Sequence, residues 1–314
     1  MLQAIFQILT IKIFPFYFSI KKLVHLFIVN FKNRIKMSEP SQSALSKNLI
    51  ITINSTAYFM LAYIFVITLI NFISMVIAKV FYDLDGTLYH YGFDLLREDF
   101  EWSVDSVFLI FFLGVVFAVI FAVWFHFMYK STRKGSGHFK LFLLWAYLIS
   151  YTIFFGDIIF GAFLNYMPGA FFNFMFIPMV FRIFIGILGL IALFAVGYYS
   201  AKNILISLNM YLRKASISQI RTYLYPQVVF PFILGNILIF MLKIPNQAKF
   251  QYIDTFVLLS MGIIIFTVFF RMDKLHSIQF TRHRDSFKLK RIPVIASVVA
   301  ILLFRFVLGM GLTI

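Results

Sequence analysis

The stretch LFLLWAYLISYTIFFGDIIFGAFLN, residues 141–165, decides the fold class, because it is apolar throughout and holds a single charged residue, Asp157. A helix needs roughly 20 mostly apolar residues to cross about 30 Å of hydrocarbon. Similar stretches recur after residue 48, so the sequence predicts seven membrane spans in all. The predicted spans are 52–78, 104–128, 141–165, 174–199, 224–242, 252–270 and 293–312.

The composition supports a membrane protein. The 314 residues are 62% hydrophobic and 13% charged, whereas soluble domains are roughly 45–50% apolar and about 25% charged. This excludes a cytosolic enzyme, a nucleic-acid-binding module and a disordered chain. Continuous apolar runs favour helices over the alternating strands of a barrel. We therefore predict an all-α fold, a polytopic transmembrane helix bundle.

The basic residues predict how the bundle is oriented. The connections 130–140, 200–223 and 271–291 hold 15 Lys and Arg residues. The alternate connections hold only Lys79, Arg97, Lys243 and Lys249. Because cytoplasmic loops are enriched in Lys and Arg, the N-terminus is predicted inside and the C-terminus outside. The basic face would contact anionic lipids, so the net charge of +16 requires no nucleic acid.

The N-terminal segment, residues 1–48, is basic and polar and precedes a single transmembrane domain, residues 49–314. Residues 1–36 lack the basic start and the small-residue cleavage site of a signal peptide. Met37 opens the polar run MSEPSQSALSK, which is typical of the start of a chain. We expect residues 1–36 to be an upstream extension that the functional protein lacks; a helix on the membrane surface is the alternative.

Two features of the sequence bear on whether the protein is an enzyme. The string FYDLDGTL, residues 81–88, matches the DxDGT motif of haloacid-dehalogenase-type phosphatases. Too short a polar stretch follows it to form the required soluble domain, so an Asp-Gly turn is the favoured interpretation. The chain has six His and no Cys, and no two His have the spacing of a zinc-binding HExxH helix. The sequence therefore predicts no metal site and no cofactor.

A layer of polar residues inside the spans is the strongest candidate for a site. Asp157, Arg182 and Arg305 each fall about seven residues from the predicted outer end of a helix, or about 10 Å deep. Asn236 and Asn71 fall at a similar height. A charge in the membrane costs at least about 2.5–3.5 kcal/mol, so such groups usually face the bundle interior and pair.

We accordingly expect an ion pair between Asp157 and either Arg182 or Arg305. The remaining positive charge could be neutralised by Asp105 or Asp254, or by an anionic ligand. In the functional interpretation, a ligand site is formed by four residues: Asp157, Arg182, Asn236 and Arg305. In the structural interpretation, the same groups hold the helices in register.

Four short strings carry a resemblance. DSVFLIFFLG (105–114), LLW (143–145), FFG (154–156) and RFVLG (305–309) resemble uncharacterised multi-spanning inner-membrane proteins of Bacteroidota. Some of those are distantly similar to site-2-type membrane metalloproteases. The resemblance covers most of residues 80–312 and implies an inner-membrane location. No span contains HExxH, so the catalytic residues do not carry over and the chain would be a non-catalytic relative.

Three classes of function stay open. The first is a non-catalytic scaffold or membrane-complex subunit, in contact with membrane lipids and a protein partner. The alternative is a transporter or permease-like protein for a small or lipid-like anion. A membrane-embedded enzyme ranks third, because acid–base groups within the membrane are few. A cavity of roughly 300 Å³ or more beside an unpaired arginine would favour transport, and a dry contact would favour the scaffold.

Overall fold

The structure is a computed structural model that describes nine parts of the chain. These are residues 44–96, 99–135, 138–164, 168–212, 214–215, 217–244, 251–272, 278–279 and 287–313. The prediction that residues 1–36 are an upstream extension lies outside them, as does most of the predicted segment 1–48. From Lys47 onwards the chain forms one compact unit.

Within these residues, seven helices are long and apolar enough to span a membrane, which confirms the predicted bundle. The first to seventh spans are Ser46–Tyr82, Val104–Thr132, Phe139–Phe163, Met179–Met210, Thr222–Lys243, Ile253–Met272 and Arg291–Met310. Their α-helices are Ala44–Tyr82, Val104–Val107, Leu113–Thr132, Phe139–Phe163, Met179–Ser207, Ile217–Leu224, Phe230–Lys243, Gln251–Leu259, Met261–Met272 and Arg291–Met310. A short helix, Pro168–Phe174, lies between the third and fourth spans. Single π-helical turns occur at Phe108–Phe112 and Tyr225–Val229, and a 3₁₀ turn at Leu208–Met210.

The fourth span begins later than predicted, at Met179 rather than residue 174. Pro178 precedes it in an extended conformation (ψ 144°), and Phe176 has a positive φ of 50°. Proline disfavours helical geometry in the residue before it, which favours a break in the helix at this point. Arg182 consequently lies three residues after the start of its span, rather than the predicted seven or so.

Short strands join the connections at the two ends of the bundle. They are β1 (Gly86–Tyr89), β2 (Gly92–Leu95), β3 (Lys214–Ala215), β4 (Ile278–Gln279) and β5 (Leu312–Thr313). The order β2-β1-β5 forms an antiparallel sheet, and β3 pairs with β4. We call the end with β1, β2 and β5 the hairpin end, and the end with β3 and β4 the basic end. The pairing of β1 with β5 places the residues after the seventh span beside the first connection, as an odd number of spans requires.

The third span is the most buried. Of the residues in its most apolar stretch, 67% are buried inside the protein, against 17% for the fourth span and 11% for the seventh. Close helix contacts occur between the third and fourth spans and between the fourth and sixth. At Gly189 a Cβ atom would lie 3.2 Å from the Phe155 carbonyl oxygen. At Gly197 it would lie only 2.6 Å from the carbonyl oxygen of Ile264 in the sixth span. Glycine therefore permits these backbones to approach, as small residues do between membrane helices.

A buried polar network links four spans near the basic end of the bundle. Pro231 has no N–H to offer the Gln227 carbonyl four residues earlier. The Ser55 hydroxyl donates to that carbonyl at 2.6 Å, and Trp145 Nε1 donates to Ser55 Oγ at 3.0 Å. Gln227 Nε2 in turn donates to Ser207 Oγ. The Ser55 hydroxyl thus supplies a donor to the carbonyl that cannot bond to Pro231, and Trp145 fixes the position of that hydroxyl.

Candidate functional site

Arg182 stabilises the segment that leads into its own span. Its Nε donates to the Ile177 carbonyl at 2.7 Å and its Nη2 to the Phe172 carbonyl at 3.2 Å. Its Nη1 donates to the side chain of Asn173. Phe172 lies in the last turn of the helix Pro168–Phe174, where carbonyl groups lack partners within the helix. The guanidinium thus donates hydrogen bonds to three oxygen atoms of the segment that precedes its own span.

Arg305 joins the seventh span to the fifth span and to the β1–β2 hairpin. It donates to the carbonyls of Leu242 at 3.0 Å and Ile244 at 2.8 Å, at the end of the fifth span. Its Nη1 also lies 3.0 Å from His90 Nε2. A cation at the carboxyl end of a helix satisfies free carbonyl groups and opposes the negative end of the helix dipole.

His90 is buried beside this guanidinium, in the turn of the hairpin. Because arginine is only a donor, His90 Nε2 accepts, and the imidazole is neutral with its proton on Nδ1. Burial, followed by the positive charges of Arg305 and Lys243, lowers the pKa of His90 from 6.5 to about 4. The turn is held further by the backbone N–H of His90, which donates to the Leu308 carbonyl at 3.1 Å.

Lys243 and Asp254 form a buried ion pair close to Arg305. The lysine Nζ lies 2.9 Å from Asp254 Oδ2, joining the end of the fifth span to the start of the sixth. The sequence suggested Asp254 as a neutraliser of excess positive charge, and its partner is Lys243. Asp105, the other suggested neutraliser, is exposed at the start of the second span.

Asp157 does not form the expected ion pair with either arginine. Across the described part of the chain, the hydrogen bonds of Arg182 and Arg305 go to the groups named above. Asp157 is 7% exposed and faces a cavity of about 40 Å³ between the first, second, third and sixth spans. Besides Asp157, the lining contains five polar or ionisable side chains: Tyr63, Asn71, Ser74, Tyr91 and Asp254.

The polar residues predicted to form one layer therefore lie at separate sites in the structure. Asn71 and Asp157, predicted at similar heights, meet at the cavity. Asn236 does not line it: its Nδ2 donates to the Phe232 carbonyl of its own helix at 2.8 Å. Arg182 and Arg305 are likewise absent from the lining. The four predicted site residues do not form one pocket.

Three residues near the site were missed by the sequence analysis. Ser74 lies one helical turn from Asn71, so the spacing of three residues was the available signal. Lys243 was counted only as a loop charge, although it ends a span. His90 gave no signal, because its burial depends on the hairpin packing against the seventh span.

The phosphatase-like string forms the exit from the first span. Asp83 and Asp85 are exposed and lie 2.9 and 2.8 Å from Lys79 Nζ. Gly86, the next residue of the string, begins β1. The polar turn predicted here is followed by a hairpin. Within the described residues, no group of three or more His, Cys, Asp or Glu side chains could hold a metal ion.

Comparisons with known proteins do not assign the chain to a family. No protein-family model matches it, and neither the curated proteins nor the solved structures contain a match. The seven apolar spans identify a multi-pass integral membrane protein whose outer helix faces contact lipid.

Proposed function

We propose that the protein is a non-catalytic scaffold or a subunit of a membrane complex. The observation that supports this is the use of both membrane arginines within the chain. Arg182 binds the segment before its span, and Arg305 binds the end of the fifth span and the hairpin. Groups engaged in this way hold helices and connections in place.

The anion transporter that the sequence left as the alternative has less support. Its cavity should be large and lined by a free cation. The cavity near Asp157 measures about 40 Å³, far below the roughly 300 Å³ of a typical ligand pocket. Its charged lining consists of Asp157 and of Asp254, which is paired with Lys243, so the lining offers no free cation to an anion.

Native mass spectrometry of the full chain, extracted gently from its own membrane, tests the scaffold proposal. We expect a second protein at fixed stoichiometry. The same species should persist with Asp105→Asn, a substitution at an exposed position that serves as a control. A bare chain that carries a reproducible small anion, lost on Arg182→Ala, would contradict the proposal and favour the transporter.

We also propose that the basic end faces the cytoplasm of the inner membrane. The 15 basic residues in the connections at that end support this orientation, and the resemblance to Bacteroidota proteins supports the location. The chain has no Cys, so single cysteines can be labelled without background. Glu101→Cys should react with a membrane-impermeant thiol reagent in intact cells, and Lys134→Cys only after lysis. The reverse pattern would contradict the orientation.

A further inference from the structure

The cavity beside Asp157 contains buried polar side chains that have no protein partner. Asn71 and Ser74 on the first span are 5% and 3% exposed, and Asp157 on the third span is 7% exposed. None of the three side chains has a hydrogen bond or an ion pair within the described part of the chain. All three line the same cavity. Leaving a buried polar group unpaired costs about 1–3 kcal/mol, and more for a charged group.

The position of these groups follows from two helices. Residues 63, 67, 70, 71 and 74 follow the i, i+4, i+7, i+8, i+11 pattern of one helix face, so they form one stripe of the first span facing the cavity. Gly114 of the second span borders the same space, and a Cβ atom there would collide with the Ser74 hydroxyl. The lack of a side chain at Gly114 thus leaves room around Ser74.

The charges around the cavity leave one carboxylate uncompensated. Asp254 on the sixth span is paired with Lys243 of the fifth, at 2.9 Å. Asp157 and Asp254 are the two carboxylates of the lining. The other titratable side chains of the lining are Tyr63 on the first span and Tyr91 on the hairpin. When Asp157 is ionised, a single positive charge would balance it.

The ligand chemistry is set by these oxygen atoms. Carboxylate, amide and hydroxyl oxygens bind hard cations, and one uncompensated negative charge matches a monovalent ion. One water-sized sphere needs about 10–15 Å³ of such space, so a cavity of about 40 Å³ accommodates one small ion with a water molecule. Ionisable residues within membrane spans commonly mark ion pathways.

We propose that the cavity is a binding site for a small monovalent cation of the size of Na⁺. Asp157 is its anionic ligand, and the Asn71 amide oxygen and the Ser74 hydroxyl are its neutral ligands. A proton occupies Asp157 when the cation leaves, so protons and the cation compete. This inference goes beyond the scaffold proposal and does not depend on it.

Thermal unfolding of the full chain in lipid nanodiscs tests the site. The midpoint temperature is measured in increasing NaCl, with choline chloride holding the ionic strength constant. A ligand that binds only the folded state raises stability in proportion to the logarithm of its concentration above Kd. We expect Na⁺ to raise the midpoint of the wild type, with a smaller effect at acidic pH, where protons occupy Asp157.

Variants localise the effect. Asp157→Asn should abolish the dependence on Na⁺, and Ser74→Ala should weaken the apparent affinity about tenfold through the loss of one ligand. Asp105→Asn, which removes an exposed carboxylate, should leave the dependence unchanged. These variants are compared at the same pH and the same lipid composition.

Three results would overturn the proposal. Equal midpoints for the wild type in NaCl and in choline chloride would mean that no Na⁺ site exists. A response of Asp157→Asn equal to that of the wild type would place the cation elsewhere. A response to pH alone would mean that Asp157 takes only a proton. If Asp157→Asn does not fold, the proposal is still tested by the wild type in NaCl against choline chloride and by the weaker Na⁺ response expected of Ser74→Ala.

Discussion

Lys243 and Asp254 form an ion pair of 2.9 Å between the fifth and sixth spans, with side chains only 3% and 15% exposed. Desolvation of the two charges opposes burial, and their mutual attraction offsets it only while both are present. The pair also sets the charge of the neighbouring cavity, because Lys243 neutralises Asp254, one of the two aspartates that line it. Removing one partner should therefore destabilise the folded protein more than removing both.

We expect Lys243→Met to lower the free energy of unfolding by about 3–5 kcal/mol, because it leaves Asp254 buried without its cation. The double variant Lys243→Met/Asp254→Leu should recover most of this loss. Denaturant titration in mixed micelles measures both values. Equal losses in the single and double variants would show that the uncompensated charge is not the cause.

The stability of the hairpin end should fall in acid through His90. Its pKa is lowered from 6.5 to about 4 in the folded protein, so the folded state binds the proton less readily than the unfolded state. Its contribution is complete above about pH 6.5 and is lost as the pH falls through about 4. Limited proteolysis of the β1–β2 hairpin across this range measures the effect.

His90→Gln is the matched variant, since its amide oxygen can still accept from Arg305 but does not titrate. We expect its hairpin to keep more protection than that of the wild type between pH 6.5 and 4. Identical pH profiles for the two proteins would show that other groups control this end of the molecule.

The close contact at Gly197 should not tolerate a side chain. In Gly197→Ala, the new Cβ would lie 2.6 Å from the Ile264 carbonyl oxygen, so the fourth and sixth spans must separate. The expected cost is about 1–3 kcal/mol of unfolding free energy. Gly309→Ala is the control, because a Cβ there meets nothing within 4 Å. Similar unfolding midpoints for the two variants would contradict the close packing.

Ser55→Ala should destabilise the packing of the spans near the basic end. The substitution removes the donor to the Gln227 carbonyl and the acceptor for Trp145 Nε1 at once. Unpaired buried groups of this kind cost about 1–3 kcal/mol each. Thermal unfolding followed by Trp fluorescence measures the loss. Ser131→Ala, which removes an exposed hydroxyl bound to its own helix, should have little effect. A comparable loss in this control would argue against the network.

The sequence predicted the seven spans because length and apolarity alone determine which segments can cross a membrane. It also placed Asn71 and Asp157 at one height, since depth follows from counting residues along a helix. It did not predict which side chains meet, because that depends on how each helix is rotated about its axis. The expected pairing of Asp157 with an arginine was not found, because Arg182 binds the segment before its span and Arg305 binds the end of the fifth span.

The strands were also missed. Leu88 pairs with Leu312, and no local sequence pattern predicts a contact between residues so far apart in the sequence. The late start of the fourth span could have been predicted from Pro178, because proline makes helix initiation there more favourable than helix continuation.

The pairing of β1 with β5 bears on the order of assembly during synthesis. β5 leaves the ribosome more than 200 residues after β1, which at 5–20 residues per second is a delay of roughly 10–45 s. During this interval the edge of β1 that later pairs with β5 has no β5 beside it. The β1–β2 hairpin can therefore form before its third strand, which can be added only after the seventh span has been synthesised.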